Sequence, residues 1–250
     1  MSNSPLAVYT RLSPNRTHPR NHAIDTITIH CYVGQVTAES AGVWFAKETT
    51  RASCNYVVDK DGRIGLIVDE SNMSWCSSSF SNDHRAVTIE VASDMVHPYA
   101  VTDKAYTALI ELCADICKRN GIPKLLWQGN KYLVGQVDRQ NLTVHRWFAN
   151  KACPGDYLYS RLGDIAKQVN ERLEESDMTN DEVRSIVAEA INEAKPKVYT
   201  SVQECPAWAR TTVQAAIDAD VLNGDGAGKL HLTDDNLLTL QMLYNLNLFR

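Results

Sequence analysis

Two histidines and one cysteine set the hardest constraint on this chain: His30 in TITIHCYVGQ, and His145 with Cys153 in LTVHRWFANKACPG. The first stands more than a hundred positions before the other two. Neutral imidazole and thiolate are donors that zinc prefers, at about 2.0 to 2.3 Å, and residues so far apart meet at one ion only in a fold that converges there. Three donors rather than four leave one position open to water, which separates an ion that does chemistry from one that only holds structure. Taken alone, each residue is weak evidence, and His30 between Ile29 and Cys31 also fits a satisfied core histidine.

The rest of the chain excludes several classes. Its 250 residues, 44% hydrophobic and 22% charged, suffice for a proper core and suit one domain plus a small one. A net charge of −5 and the lack of a Lys/Arg run speak against nucleic acid as partner. No stretch approaches the roughly 18 apolar residues of a membrane span, so no membrane insertion is expected. The N-terminus, MSNSPLAVYTRLSPNRTHPR, has no apolar signal-peptide core, and the chain is expected to be made as a soluble cytosolic protein. Seven cysteines, an odd number at scattered positions, do not form a disulfide framework. Cys113 and Cys117 share an apolar helix face with Leu109, Leu112 and Ile116, and read as core.

Periodicity predicts an α/β fold, a central mixed β-sheet flanked by helices. Ile27, Ile29 and Val33 mark a buried strand ending near His30, and Ala38 to Thr50 reads as a helix. NYVVD and RIGLIVDE read as a hairpin turning at Asp61-Gly62. AVTIEVA is a further strand after a Ser/Asn-rich loop from Cys76 to His84. A helix from about Thr102 to Asn120 closes on Gly121, and another runs from about Asp156 beyond Asn170.

After about Glu175 the composition shifts. This divides the chain into a domain over 1–175, a linker helix over 176–197 opened by the capping box Thr179 to Glu182, and a small helical module over 198–250. In the module, Trp208, Val213, Ile217, Val221 and Leu222 trace one helical face. Asn223 to Gly228 is a turn, and Leu237, Leu238, Leu240, Met242 and Leu243 lie in a second helix.

TITIHCYVG, SCNYVVDKDGRI, the Trp75 loop leading into AVTIEVAS, and LTVHRWFANKACPGDYL together resemble the zinc-dependent N-acetylmuramoyl-L-alanine amidases, whose fold is shared by phage amidases, bacterial autolysins and peptidoglycan-recognition proteins. The resemblance covers roughly Asp25 to Leu173, and its last motif is highly specific. It implies Zn2+ as cofactor with His30, His145 and Cys153 as ligands, and bacterial cell-wall peptidoglycan as partner. It also implies cleavage of the amide between N-acetylmuramic acid and L-alanine by a zinc-activated water.

Amide hydrolysis needs a base for the water and a donor for the oxyanion. Lys151 matches the family's lysine facing the open zinc position; elsewhere such a lysine reads as a solvated surface residue. One branch of the family carries a tyrosine where this chain has Cys54, with Tyr56 matching the aromatic two residues on. Another branch, resembling the anhydromuropeptide amidases, uses a glutamate, and Glu90 in AVTIEVAS occupies that place; the plain alternative is an exposed strand glutamate. Asn55, Trp75 and Trp147 match positions lining the substrate groove, although Trp147 reads equally as core. His84 and His97 read as surface histidines, and His18 and His22 have no ligand spacing.

The module resembles a single degenerate surface-layer-homology repeat, on Tyr199, Pro206-Ala-Trp208-Ala, Gly224 to Gly228 and Leu237 to Tyr244. Such repeats bind secondary wall polymers, typically three together. A lone copy leaves two readings: a homo-oligomer formed through the 179–194 helix, or another purpose. The expected whole is a phage or prophage endolysin of a Gram-positive host, acting on the wall after release, with a bacterial autolysin or a non-catalytic peptidoglycan-recognition module as alternatives. The recognition class typically loses a zinc ligand, and here all three are present.

Overall fold

Side chains of Thr26–Val33 are buried on both faces as far as Cys31, the signature of a strand in the middle of a parallel sheet. A computed structural model describes residues 3–177 and 180–249. The chain divides into two compact units, Met1–Asp177 and Met178–Arg250. In the first, β1 (Ala7–Thr10), β3 (Thr26–Val33), β4 (Tyr56–Val58), β5 (Ile64–Leu66), β7 (Ala86–Ser93) and β8 (Leu142–Val144) form one mixed sheet in the order β1-β5-β4-β7-β3-β8. All neighbours are parallel except β4 and β5. The short pair β2 (Arg16–Thr17) and β6 (Met73–Ser74) runs antiparallel beside it.

Alternation along β3 and β7 splits their side chains between two faces. Ile27, Ile29, Val87, Ile89 and Val91 join a core with Leu109, Leu112, Cys113 and Ile116 of α3 (Asp103–Asn120) and Ile165 and Val169 of α5 (Leu162–Asp177). On the opposite face, Val57 packs with Ala41 and Phe45 of α1 (Ala38–Phe45), Cys54 and Ile67. This second face also takes Thr28, His30, Thr88 and Glu90, in register Thr28↔Thr88 and His30↔Glu90. The sheet flanked by helices is the expected architecture, and its second face is the one that holds His30 and Glu90.

Local rules explain most elements. Thr102 caps α3 by accepting from the Ala105 amide, and Gly121 ends it in the left-handed region at φ 66°. Cys113 and Cys117 lie in its buried face. The β4–β5 hairpin turns where Asp59 Oδ1 accepts from the amides of Asp61 and Arg63, both at 2.9 Å. Gly62 sits there at φ 83°, where a Cβ would stand 2.8 Å from the Lys104 carbonyl oxygen.

Several expectations need correction. His30 lies inside β3 rather than at its end, because parallel pairing with β7 continues to Val33↔Ser93. The helix from Ala38 stops at Phe45, and a 3-10 turn over Glu48–Thr50 follows. The helix expected from Asp156 is two, α4 (Gly155–Tyr159) and α5. The segment expected as a loop up to His84 contains α2 (Phe80–Arg85), capped by Ser79, which accepts from the Asn82 amide.

The second unit holds α6 (Asn180–Ala194), α7 (Ala207–Asp218) and α8 (Asp234–Asn245). Thr179, expected to cap α6, lies outside the described residues, as does the Glu182 side chain. Tyr199, Cys205, Ala209, Val213, Ala216, Leu232, Leu237, Leu240 and Phe249 form its core. The buried face of α7 is therefore Ala209, Val213 and Ala216, whereas Trp208 and Val221 are half exposed. On α8, Leu237 and Leu240 point inward, and Leu238 and Met242 outward.

Candidate active site

Strand order does the gathering. β3 carries His30 between β7 and β8, and the Ile29↔Val144 register leaves His145, the next residue after β8, beside it. The imidazole centroids are 5.1 Å apart. Cys153 arrives from the following loop, with its Sγ 3.4 Å from His30 Nδ1 and accepting from the Cys31 amide at 3.4 Å. The loop is pinned by the Arg146 amide donating to the Cys153 carbonyl at 3.1 Å. It turns through Gly155 at φ 79°, where a Cβ would meet Tyr99 Cβ at 2.7 Å. One donor atom from each of His30, His145 and Cys153 lies within 4.8 Å of the others.

This set suits zinc. Tetrahedral N and S donors at ordinary zinc distances stand about 3.5 Å apart, close to the Nδ1–Sγ separation seen here. Burial, then His145, holds His30 well below the usual imidazole range, and burial, then Lys151, lowers His145. Both shifts favour the neutral ring that ligation requires. The side-chain hydrogen bond with the Cys31 thiol, then burial, push the Cys153 thiol up against the opposing pull of the Cys31 amide, so a nearby cation is what would release its proton.

Glu90 stands next to His30 across the β3–β7 ladder. Its Oε1 is 3.8 Å from Cys76 Sγ, and its Oε2 is buried with no hydrogen-bond partner among the described residues. Burial, then Cys31, pushes it up to about 8. It is not the exposed strand glutamate of the plain alternative.

A groove of about 590 Å³ opens over His145, with Trp75, Cys76, Ser78, Phe80 and Lys151 in its walls. Trp75 is 39% exposed, and its Nε1 donates to Thr17 Oγ1 at 3.0 Å. Two expected groove residues lie elsewhere. Asn55 is fully buried; its Nδ2 donates to the Val68 carbonyl at 3.1 Å, and its Oδ1 accepts from the Thr88 amide at 3.1 Å, so no polar group remains for a ligand. Trp147 stacks on Trp127 at 5.0 Å between centroids and packs against the main core. His84, expected on the surface, is buried, with Nδ1 accepting from the Asn21 amide at 2.9 Å. His97 is exposed and paired with Asp156 at 2.9 Å.

Cys76 and Ser78 were not among the residues expected at the site. The signal that could have found them is the Ser79 cap, three residues before Asn82, which fixes where their loop ends.

The N-acetylmuramoyl-L-alanine amidase family model matches residues 20–156, more than half of the chain and including all three donors, and the chain belongs to that family. Among solved structures, PlyL is similar with a TM-score of 0.50 at 15% identity, over 65% of this chain and 96% of PlyL, and shows the shared fold. The catalytic domain of XlyA gives 0.49 at 16% identity, over 64% of this chain and 97% of that one. A mutant endolysin from Bacillus subtilis gives 0.47 at 18%, over 68% and 99%. The comparison with curated proteins gives no match.

Proposed function

We propose that this chain hydrolyses the amide between N-acetylmuramic acid and the L-alanine of the peptidoglycan stem peptide, with zinc held by His30, His145 and Cys153. The observation that carries the reading is the approach of these three donors to within 4.8 Å, with His145 facing a groove, inside the segment that matches the family. Zinc held there would supply Lewis-acid chemistry, polarising the scissile carbonyl and making water nucleophilic near neutral pH.

The protein's own groups do the rest. Glu90, through its unpartnered Oε2, takes the proton of the attacking water and passes it to the leaving alanine nitrogen. The exposed Lys151 ammonium, in the wall beside His145, stabilises the oxyanion that develops on the scissile carbonyl. Trp75 and Phe80 offer an apolar wall to the sugar and lactyl face. The Met178–Arg250 unit, folded around its own core, holds the enzyme on the wall.

The test is metal removal. Purified protein incubated with peptidoglycan releases new L-alanine N-termini; chelation stops release and added zinc restores it, while Cys153→Ala takes up no zinc and releases nothing. Undiminished release from chelated protein contradicts the reading.

A further inference from the structure

A buried polar network ties the Ser-rich loop before α2 to the two strands that present the histidines. Asn82 Nδ2 donates to Thr28 Oγ1 at 2.9 Å and to Ser77 Oγ at 3.2 Å, and Thr143 Oγ1 donates to Asn82 Oδ1 at 3.1 Å. The two threonine hydroxyls are themselves 2.8 Å apart. Thr28 and Thr143 each stand two residues before a histidine, His30 and His145. Asp83 closes the loop from beneath, accepting from the amides of Cys76 and Ser77, each at 3.0 Å. Asn82, Asp83, Ser77, Thr28 and Thr143 are all buried.

The loop so held delivers one residue to the site. Ser78 adopts φ 63°, a conformation that costs a non-glycine residue about 1 kcal/mol or more and persists where surroundings impose it. In that conformation its Oγ lies 3.0 Å from His145 Nε2. With Nε2 engaged by Ser78, the nitrogen of His145 left for a metal is Nδ1, the same atom that His30 turns to Cys153.

Resting on the zinc reading above, we infer that Ser78 is a positioning residue for metal binding: its hydroxyl accepts the Nε2 proton of His145, fixing the ring's tautomer and orientation so that Nδ1 faces the ion. Outer partners of this kind typically contribute 10- to 100-fold in metal affinity. His30 has no such partner, since its Nε2 is buried and unpaired among the described residues; there the burial of the ring within the sheet holds it.

Ser78→Gly is the test variant, because glycine adopts positive φ without strain and the loop keeps its course. Zinc affinity is measured by competition with a chelating dye, alongside the proton spectrum of the histidine ring N–H groups in the zinc-loaded protein and the melting of the metal-free protein. The expected result is about 10- to 100-fold weaker zinc binding. A slowly exchanging His145 Nε2–H signal is present in the parent and lost in the variant, with the metal-free melting midpoint unchanged. Parental zinc affinity in Ser78→Gly overturns the inference while leaving the zinc reading intact. A parent protein that takes up no zinc overturns both.

Discussion

Glu90 is where burial and chemistry pull against each other. A carboxyl with an unpartnered buried oxygen is costly, and its displacement to about 8 is how the protein accommodates it. Such groups cluster at sites where protons move. Glu90→Gln keeps the shape and removes the basicity, so release of L-alanine N-termini should fall by about 10²- to 10⁴-fold while zinc content stays at one ion per chain. A glutamine variant with parental activity would move the base elsewhere. The residues of this site were legible to different degrees, for physical reasons. His30, His145 and Cys153 sit in motifs whose neighbours also carry meaning. Asn55 was misplaced because a buried, saturated asparagine and a groove asparagine look alike in sequence. Trp147 found its stacking partner Trp127 twenty residues upstream, a pairing that only tertiary structure reveals.

At the scale of elements, caps and turns were the readable signals. Gly121 and Asp61-Gly62 stand where a left-handed backbone is needed, and both ended up there. Short pieces were not readable: β8 is three residues long and α2 six, too few for a period to show, and both are held by contacts distant in sequence. The same logic yields a prediction in the second unit. Asp225 accepts from His231 at 2.7 Å and from the amides of Ala227 and Lys229, each at 2.9 Å, which lowers its pKa to about 2. A depressed folded pKa adds stability that is present above the unfolded value, about 3.9, and lost as pH falls through about 2. In thermal melts, Asp225→Asn should therefore lower the midpoint of this unit at pH 6, with the gap to the parent closing toward pH 2. A gap that does not vary with pH would mean that the turn owes nothing to the charge.

Over the whole molecule, the sheet with helices on both faces followed from alternating strand and helix patterns, whereas its strand order did not. That order, with β3 between β7 and β8, is what turns three scattered residues into one site. No helix among the described residues is long and apolar enough to cross a membrane. The proposed division of labour predicts that inactive Cys153→Ala protein sediments with whole cell walls, and that the same variant ending at Asp177 stays in the supernatant. Equal sedimentation of both would assign wall binding to the first unit alone. The central claim, that this site cuts the lactyl-alanine amide, is tested most directly by mass spectrometry of peptidoglycan digested with the zinc-loaded protein. The account predicts glycan strands with uncut sugar linkages whose muramic acid residues carry free lactyl carboxylates, together with intact stem peptides that begin at L-alanine. Sugar-linkage cleavage, cuts within the stem peptide, or an undigested wall would contradict it.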